Sequence, residues 1–298
     1  MWPLSKLPRG YRIALRAKAH QVKRVFVQAF LSYDAPRLVA GLRALGIKSG
    51  DTVLLHSGFD ASSGFRGGVE ALTNAFLEAI GPEGNLVMVS LPYRSSSLDY
   101  LKKLKYFDVR RTPSMMGLVS EFFRRRPNVL RSLHPTHPML ACGPDAEWIV
   151  ADHELCRYPC GPGTPFEKLA SLDAKAVFFN VPFDNFTFFH NLEHLVSSEL
   201  PFELYTDEPF EVPVIDKSGE TKTVTTFVFS LDAIRRRQFH VLEDEMRRRR
   251  MIRKRRVGNS YVLSVRLSDS IECVLDMSRR GCYFYDLEDA AETLDSKA

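Results

Sequence analysis

His190 and Glu193 form the pair whose residue types and spacing most directly suggest acid–base chemistry in this sequence. They lie three positions apart in a stretch with a helical pattern, and this spacing places both side chains on one face of a helix. The carboxylate could then orient the imidazole or hold a substrate amine, and histidine titrates in the range that suits a general base. Such a pair taken alone is more often structural, so its weight depends on the rest of the chain.

A second set of candidates lies next to predicted strand and helix ends. His56 and Ser57 follow a short apolar run typical of a buried strand, and ligand crevices form where parallel strands end. Gly67 and Gly68 precede a predicted helix, whose first backbone N–H groups could approach a phosphate. Ser114 stands at a second predicted helix start and could contact the same ligand. A glycine turn taken alone is usually only a turn.

The segment around Ser132 has the composition of an anion-binding loop. Arg131 and His134 flank this serine in a proline-containing stretch, and both side chains can donate hydrogen bonds to an anion. The alternative is that both belong to an ordinary surface loop.

The cysteines indicate neither a disulfide framework nor a metal site. Five cysteines at irregular spacing are typical of a protein from a reducing compartment. His153, Cys156 and Cys160 resemble part of a zinc site, but they lack a convincing fourth ligand. We therefore expect no bound metal.

The elements that must position these residues follow the pattern of an α/β protein. Apolar runs at 52–55 and 86–89 flank a glycine turn at 64–68 and a helical stretch at 69–80. A strand, a helix and a second strand in this order predict a parallel crossover unit. A third apolar run at 176–179 predicts another strand, and the helix bearing His190 follows it.

Further elements are predicted from turn residues and local pattern. We expect a helix from Asp34 to Gly46, a long loop over 93–112 and a helix over 116–126. The chain beyond residue 208 predicts strands at 211–215 and 223–229, a long charged helix to about residue 250, and β-rich runs at 261–267 and 271–275.

Basic residues are concentrated in two segments. The net charge is +5, yet residues 1–33 hold seven Lys and Arg without an acid, and residues 231–256 hold eleven against four acids. The rest of the chain is therefore acidic. Nucleic-acid binding favours one basic face built on the body of a protein, so we expect no nucleic-acid partner.

The first basic segment has the pattern of an amphipathic helix. Apolar residues recur at roughly helical spacing, at Ile13, Ala17, Val22, Val25 and Ala29. We assign residues 1–33 to a helical extension and residues 34–298 to the main domain, which includes a basic helix at about 231–256. The basic faces are either solvated or adhere to an anionic membrane surface or a phosphate-bearing substrate. No apolar run is long enough to span a bilayer, so we expect a cytoplasmic protein.

Several segments, taken together and in order, resemble the aminoglycoside 3-N-acetyltransferase family. The match extends over roughly residues 36–265, and each motif is weak alone while their ordered sum is specific. The segments are Asp51–Ser57, Gly64–Gly68, Phe107–Asp108, Thr112–Gly117 with Glu121, Arg131–Pro135, Gly163–Leu169, Asp184 with Thr187, His190 and Glu193, and Arg256–Gly258. Departures from the family pattern occur at Gly58, Thr164 and His137-Pro138.

The resemblance implies a fold, a donor and roles for residues. The implied fold is a three-layer α/β/α arrangement, and the implied donor is acetyl-CoA. Together with the pattern of elements above, we expect a largely parallel central sheet and a small β-rich C-terminal part. His190, Glu193 and Asp184 are the implied catalytic residues. The implied cofactor-binding residues are His56, Ser57, Gly67, Gly68, Ser114 and Thr187. The predicted substrate-binding residues are Glu121, Arg131 and His134.

The acceptor remains open between two classes of amino sugar. The basic segments favour an amino sugar carried on a nucleotide or lipid diphosphate, whereas the acidic body would attract an antibiotic aminoglycoside, which is a polycation. Since no cysteine lies within the matched motifs, direct attack on the thioester is favoured over an acyl-cysteine. The rivals are a non-catalytic basic adaptor for membrane or nucleic acid, and a cysteine-dependent acyltransferase or thioesterase.

Overall fold

A seven-stranded mixed sheet lies at the centre of the computed structural model, which describes residues 9–60 and 63–287. The strands are β1 (Thr52–Ser57), β2 (Asn85–Val89), β3 (Phe107–Asp108), β4 (Leu130–Arg131), β5 (Met139–Cys142), β6 (Lys175–Phe179), β7 (Phe210–Ile215), β8 (Thr221–Thr226), β9 (Arg253–Val257) and β10 (Ser260–Arg266). The helices are α1 (Arg9–Phe30), α2 (Ala35–Leu45), α3 (Gly68–Ile80), α4 (Ser97–Leu101), α5 (Leu118–Arg124), α6 (Ala146–Val150), α7 (Pro165–Ser171), α8 (Phe189–Leu195), α9 (Leu231–Arg236), α10 (Phe239–Arg248) and α11 (Leu267–Arg279).

The order of the main sheet is β4-β5-β2-β1-β6-β10-β9. The predicted crossover unit is confirmed, because β1 pairs in parallel with β2 and with β6. The expectation of a largely parallel sheet holds only for these three central strands, since the flanking pairs are antiparallel. At the β9–β10 edge the antiparallel pairing follows from the connection, because Gly258-Asn259 is too short for a crossover helix.

Helices cover both faces of the sheet, which confirms the three-layer α/β prediction. Alternate residues of β1 point to opposite faces, so Leu54 joins one apolar core with α7, α8 and α11, while Val53 and Leu55 join a second core with α2 and α3. The helix predicted from Asp34 is also confirmed: Asp34 accepts the backbone N–H of Arg37, and Gly46 ends α2 in the left-handed conformation.

A second sheet, in the order β3-β7-β8, has its own apolar core. The predicted loop over 93–112 contributes to it, because this segment contains α4 and β3 as well as turns. Phe107 of β3 pairs in parallel with Val214 of β7 and is fully buried. The sequence of this segment shows no hydrophobic periodicity because α4 and β3 are both too short to produce one.

Two predictions for the C-terminal third are wrong. The expected β-rich run at 271–275 lies inside α11, where buried residues follow helical spacing through Leu267, Ser270, Val274 and Met277. The expected long charged helix is two helices, α9 and α10, because Arg237 between them leaves the helical conformation, with φ −58° and ψ 129°. Its neighbour Gln238 donates a backbone hydrogen bond of 2.9 Å to Phe284 of the C-terminal segment.

Helix α1 confirms the predicted helical pattern of the N-terminal segment but packs little against the rest of the chain. Val27 is buried, and the other side chains of α1 that the structure describes are exposed. The side chains of Ile13 and Ala17, on which part of the amphipathic prediction rests, lie outside the described residues. Over the described ranges, no helix is long and apolar enough to cross a bilayer.

Candidate active site

A cavity of about 200 Å³ opens at the carboxyl ends of the parallel strands β1 and β2, the edge at which α/β sheets bind ligands. Strand β1 contributes His56 and Ser57, and the segment after β6 contributes Asp184, Thr187 and His190. The remaining lining residues are Leu55, Val89, Met116, Ser120, Val181, Asn185, Phe186 and Phe239. Five of the predicted site residues, far apart in sequence, therefore share one cavity.

His190 and Glu193 lie on α8 and contact each other as their spacing predicts. His190 Nδ1 is 2.7 Å from Glu193 Oε2, and the Glu193 side chain is fully buried while 14% of the His190 side chain is exposed. A carboxylate accepts, so Nδ1 carries the proton and donates it, which leaves the Nε2 lone pair to act as a base. His190 lines the cavity, whereas Glu193 stands behind it.

Arg237 also holds the Glu193 carboxylate, through both of its oxygens. Its Nε lies 2.6 Å from Glu193 Oε1 and its Nη2 lies 2.9 Å from Oε2, a two-pronged ion pair. The Tyr285 hydroxyl donates a further hydrogen bond to Oε1. The guanidinium also lies 4.7 Å from the centre of the Phe229 ring. Glu193 therefore receives hydrogen bonds from three side chains and is held in one orientation.

These contacts have opposite effects on the two titrating groups. Burial alone would raise the pKa of Glu193, but the charge of Arg237 and the hydrogen bond from His190 outweigh it, so this pKa is lowered. Burial and the charge of Arg237 lower the pKa of His190, and Glu193 offsets them only in part. At neutral pH the pair is therefore a carboxylate beside a neutral imidazole, the form a general base requires.

Two buried polar atoms of the cavity lining have no hydrogen-bond partner among the described residues. They are His56 Nε2 and Thr187 Oγ1. An unpaired buried polar atom costs about 1–3 kcal/mol, so both atoms are suited to a polar ligand. Burial lowers the pKa of His56 to about 3, and its ring stacks on Phe178 at 5.0 Å between centroids, so this imidazole is neutral and fixed in place.

Asp184 occupies a different environment from Glu193. It lies in the short 3-10 helix Phe183–Asn185, is exposed, and lines the cavity. Its carboxylate is therefore free to meet a cationic group that approaches from solvent.

Three predicted cofactor-binding residues do not line this cavity. Gly67 and Gly68 begin α3 and have φ values of 109° and 74°, which only glycine adopts without strain. Ser114 does not begin a helix, because α5 starts at Leu118. It lies behind the cavity wall, where its hydroxyl is 2.9 Å from that of Ser120. Their proposed role in binding the cofactor stays a prediction.

The predicted substrate-binding residues also lie away from the cavity, and their polar atoms are engaged within the fold. The Glu121 carboxylate accepts hydrogen bonds from the Ser114 backbone N–H and from two arginines of the same segment. Arg131 is buried and donates to three backbone carbonyl groups. His134 is buried against His153, with ring centroids 4.4 Å apart, and its Nε2 lies 3.1 Å from Thr226 Oγ1. Their predicted contact with substrate stays untested, but these bonds give each a structural task.

Sequence reasoning missed several residues of this site. Ser120 and Met116 lie in the motif-bearing segment around the predicted helix 116–126 and could have been found there. Arg237 belongs to the basic segment that was interpreted as a solvated helix face. Tyr285 follows α11 in a stretch without any local signal, and only the tertiary structure brings it to Glu193.

The cysteines and His153 lie outside the cavity lining. All five cysteines are within the described residues and are free thiols, and none lines the cavity. His153 Nδ1 is 2.9 Å from Ser132 Oγ and its Nε2 is 3.3 Å from the carbonyl oxygen of Pro159. Across the described parts of the chain, no group of three or more His, Cys, Asp or Glu side chains could hold a metal ion.

Comparison with known proteins agrees with the resemblance found in the sequence. The family model described as aminoglycoside 3-N-acetyltransferase matches residues 54–278. The aminoglycoside N(3)-acetyltransferase III of a Salmonella species is 28% identical over 209 residues, which cover 66% of this chain and 71% of that protein.

Two solved structures show the same fold. A mutant of the aminoglycoside acetyltransferase AAC(3)-IVa in complex with a gentamicin has a TM-score of 0.67 and 25% identity, covering 83% of this chain and 89% of that one. AAC-IIIb, binary with CoASH, has a TM-score of 0.71 and 23% identity, covering 84% of this chain and 97% of that one. Since the family match spans most of the sequence, the chain belongs to the aminoglycoside 3-N-acetyltransferase family and is an N-acetyltransferase that uses acetyl-CoA.

Proposed function

We propose that the chain acetylates an amino group of an aminoglycoside-type amino sugar, with His190 as the general base. The observation that carries this proposal is the 2.7 Å contact between His190 Nδ1 and the buried Glu193 carboxylate. It keeps the proton on Nδ1 and the lone pair on Nε2, on a side chain that lines the cavity.

The acceptor amine is largely an ammonium ion at neutral pH, and it becomes a nucleophile once the ammonium proton has passed to solvent. Acetyl-CoA supplies the acetyl group as a thioester. The amine nitrogen bonds to the carbonyl carbon, the carbon–sulfur bond breaks, and the amine proton passes to His190 Nε2. The imidazolium then returns this proton to the departing thiolate. Glu193, held by Arg237 and Tyr285, stabilises the transient imidazolium.

The residues around His56 are the proposed holders of acetyl-CoA. His56 Nε2 and Thr187 Oγ1 are the unpaired polar atoms of the lining, and Ser57 stands beside them at the end of β1. Polar groups of a bound ligand could form hydrogen bonds with both of these buried atoms, which have no partner within the described residues. The absence of cysteine from the lining favours direct attack over an acyl-cysteine intermediate.

The relatives support the aminoglycoside alternative over the nucleotide- or lipid-linked amino sugar that the charge distribution favoured. That charge argument relied on the arginines of residues 231–256, yet many of these are paired at a distance from the cavity. Arg247 pairs with Glu243, and Arg249 pairs with Glu245 and Asp276. Arg237 is neutralised by Glu193. Exposed Asp184 at the cavity suits a polyamine better than a diphosphate.

A thiol-release assay tests the acceptor class. The enzyme with acetyl-CoA should release free CoA when gentamicin- or sisomicin-type aminoglycosides are added, and much less when a nucleotide-linked amino sugar replaces them. His190→Ala under the same conditions controls for spontaneous hydrolysis. Turnover only with the nucleotide-linked sugar would show that this sugar, and not an aminoglycoside, is the acceptor. Turnover with neither class, in a protein that acetyl-CoA stabilises against heat, would refute both.

A further inference from the structure

Helix α1 carries an apolar surface that nothing in the described chain covers. Half of the exposed large apolar side chains in the described residues lie on this helix, and each is between 44% and 73% exposed. They are Tyr11, Leu15, Val22, Val25, Phe26 and Phe30. Exposed apolar groups scattered singly are ordinary, but a concentration on one element marks an interaction site.

These six side chains share one face of the helix. At 3.6 residues per turn they lie within an arc of about 140°. Val27 lies outside this arc, about 140° from Val22. Val27 is the buried position of the helix, and the Gly64 backbone approaches its side chain so closely that a Cβ at Gly64 would lie 2.9 Å from it. The helix therefore rests on the body through its C-terminal end and turns its apolar face outward.

Helix α1 makes few packing contacts with the rest of the described chain, so packing within the chain does not explain its apolar face. The helix has 22 residues, which gives a length of about 33 Å. Most helical stability in proteins comes from packing an amphipathic face, and an element that packs so little on its own chain gains that stability elsewhere. The helix also precedes residue 54, where the family match begins.

The charge of α1 decides between candidate occupants. Residues 9–30 contain six Lys and Arg and no acidic residue. A second copy of the helix would bring like charges together, which is unfavourable. A nucleic acid would satisfy the charge but would leave six apolar side chains without an apolar partner. A lipid surface with anionic headgroups satisfies both, because apolar side chains enter the acyl boundary while basic groups meet the headgroups.

We propose that α1 is an interfacial helix that binds the surface of an anionic membrane through the face defined by these six residues. The exposed Lys18 lies on the same side, three residues after Leu15, and its long side chain can extend to the headgroups. The binding would place an N-acetyltransferase at the membrane without a spanning helix, and it does not depend on which acceptor the enzyme uses.

Sedimentation of the full chain with vesicles tests the proposal. Wild-type protein should bind phosphatidylcholine vesicles that contain phosphatidylglycerol, and should bind pure phosphatidylcholine vesicles much more weakly. The double variant Val22→Gln with Phe26→Gln changes no charge but removes two members of the apolar face, and we expect it to lose more than about tenfold in partitioning. Gln21→Asn with Gln28→Asn is the matched control at exposed polar positions of the same helix.

Acetyl transfer and thermal midpoints of both double variants report whether the body remains folded, since α1 does not line the cavity. Equal vesicle binding by wild type and the Val22 and Phe26 variant would overturn the proposal. So would a wild-type protein that ignores anionic vesicles. Light scattering supplies the third refuting outcome: a solution dimer that the apolar variant loses would show that a second copy covers this face.

Discussion

Arg237 donates two hydrogen bonds to the Glu193 carboxylate, at 2.6 Å to Oε1 and at 2.9 Å to Oε2, the oxygen that His190 also contacts. The arginine comes from the break between α9 and α10, and the glutamate from α8, so the tertiary fold joins them across 44 residues of sequence. The contact keeps a fully buried carboxylate ionised and makes Arg237 a positioning residue for His190, the proposed general base.

Neutralising Arg237 and neutralising Glu193 should shift the acidic limb of the pH–rate profile in opposite directions. Arg237→Gln removes a positive charge that lowers the pKa of His190, so the His190–Glu193 pair should bind its proton more tightly and the limb should move to higher pH. Glu193→Gln removes the group that raises the pKa of His190, so the limb should move to lower pH. Both variants should lose roughly tenfold to a hundredfold in kcat at neutral pH.

Arg237→Lys is the control for charge without the two-pronged geometry. It should keep the limb near its wild-type position while losing turnover. A profile for Arg237→Gln that coincides with wild type would show that Arg237 has no electrostatic influence on the base.

Alanine substitutions of the two cavity histidines should separate chemistry from cofactor binding. His190→Ala should lower kcat by roughly a hundredfold to ten-thousandfold and leave acetyl-CoA affinity nearly intact, because a general base acts on the acceptor's proton. His56→Ala should mainly weaken acetyl-CoA binding, since its unpaired Nε2 is the proposed contact. Raising the pH should partly rescue His190→Ala, because more acceptor amine is then neutral. Isothermal titration together with steady-state kinetics would measure both effects.

Asp184→Asn should weaken acceptor binding without affecting acetyl-CoA. The carboxylate is exposed, and an exposed ion pair contributes about 0.2–1 kcal/mol, so KM for an aminoglycoside should rise about 1.4-fold to fivefold at low salt. The difference should shrink as salt is added. Glu83→Gln, an exposed carboxylate at the other end of the sheet next to the start of β2, is the control. A reduced kcat with unchanged KM would instead place Asp184 in the chemical step.

The stability of the fold should decline in mild acid because buried histidines are held neutral. Burial lowers the pKa of His56 and of His153 from 6.5 to about 3. The unfolded chain therefore takes up protons near pH 6.5 that the folded chain refuses. The contribution of these two neutral histidines to the free energy of unfolding is complete above about pH 6.5. It is lost progressively as the pH falls towards 3. Thermal midpoints between neutral and acidic pH should show this slope.

Two variants identify which histidine causes the decline of the thermal midpoint in acid. His153→Leu should reduce the slope even though it lowers the midpoint at neutral pH, because Ser132 and Pro159 lose their partner. His240→Gln, at an exposed position of α10, is the matched control for replacing a histidine. A slope unaffected by His153→Leu would assign the acid sensitivity to other groups.

The sequence by itself determined the features that depend on neighbours along the chain. The spacing of His190 and Glu193 predicts their contact because three residues make nearly one helical turn. The order of strand, glycine turn, helix and strand predicts the parallel centre of the sheet because such a connection closes in only one way. The ordered motifs from residue 51 onward identified the family for the same reason, since they record local segments in a fixed order.

Only the tertiary structure decided the features that depend on partners remote in sequence. The run at 271–275 has strand-like composition, but burial against α7 and α8 selects a helix there. Arg131 and His134 lie in matched motifs, yet they do not line the cavity, because Arg131 bonds to the Ser90 carbonyl and His134 to Thr226. Arg237 looked like one more solvated arginine, and it is the partner of the His190–Glu193 pair because a buried carboxylate requires a counter-charge, which a local pattern cannot specify.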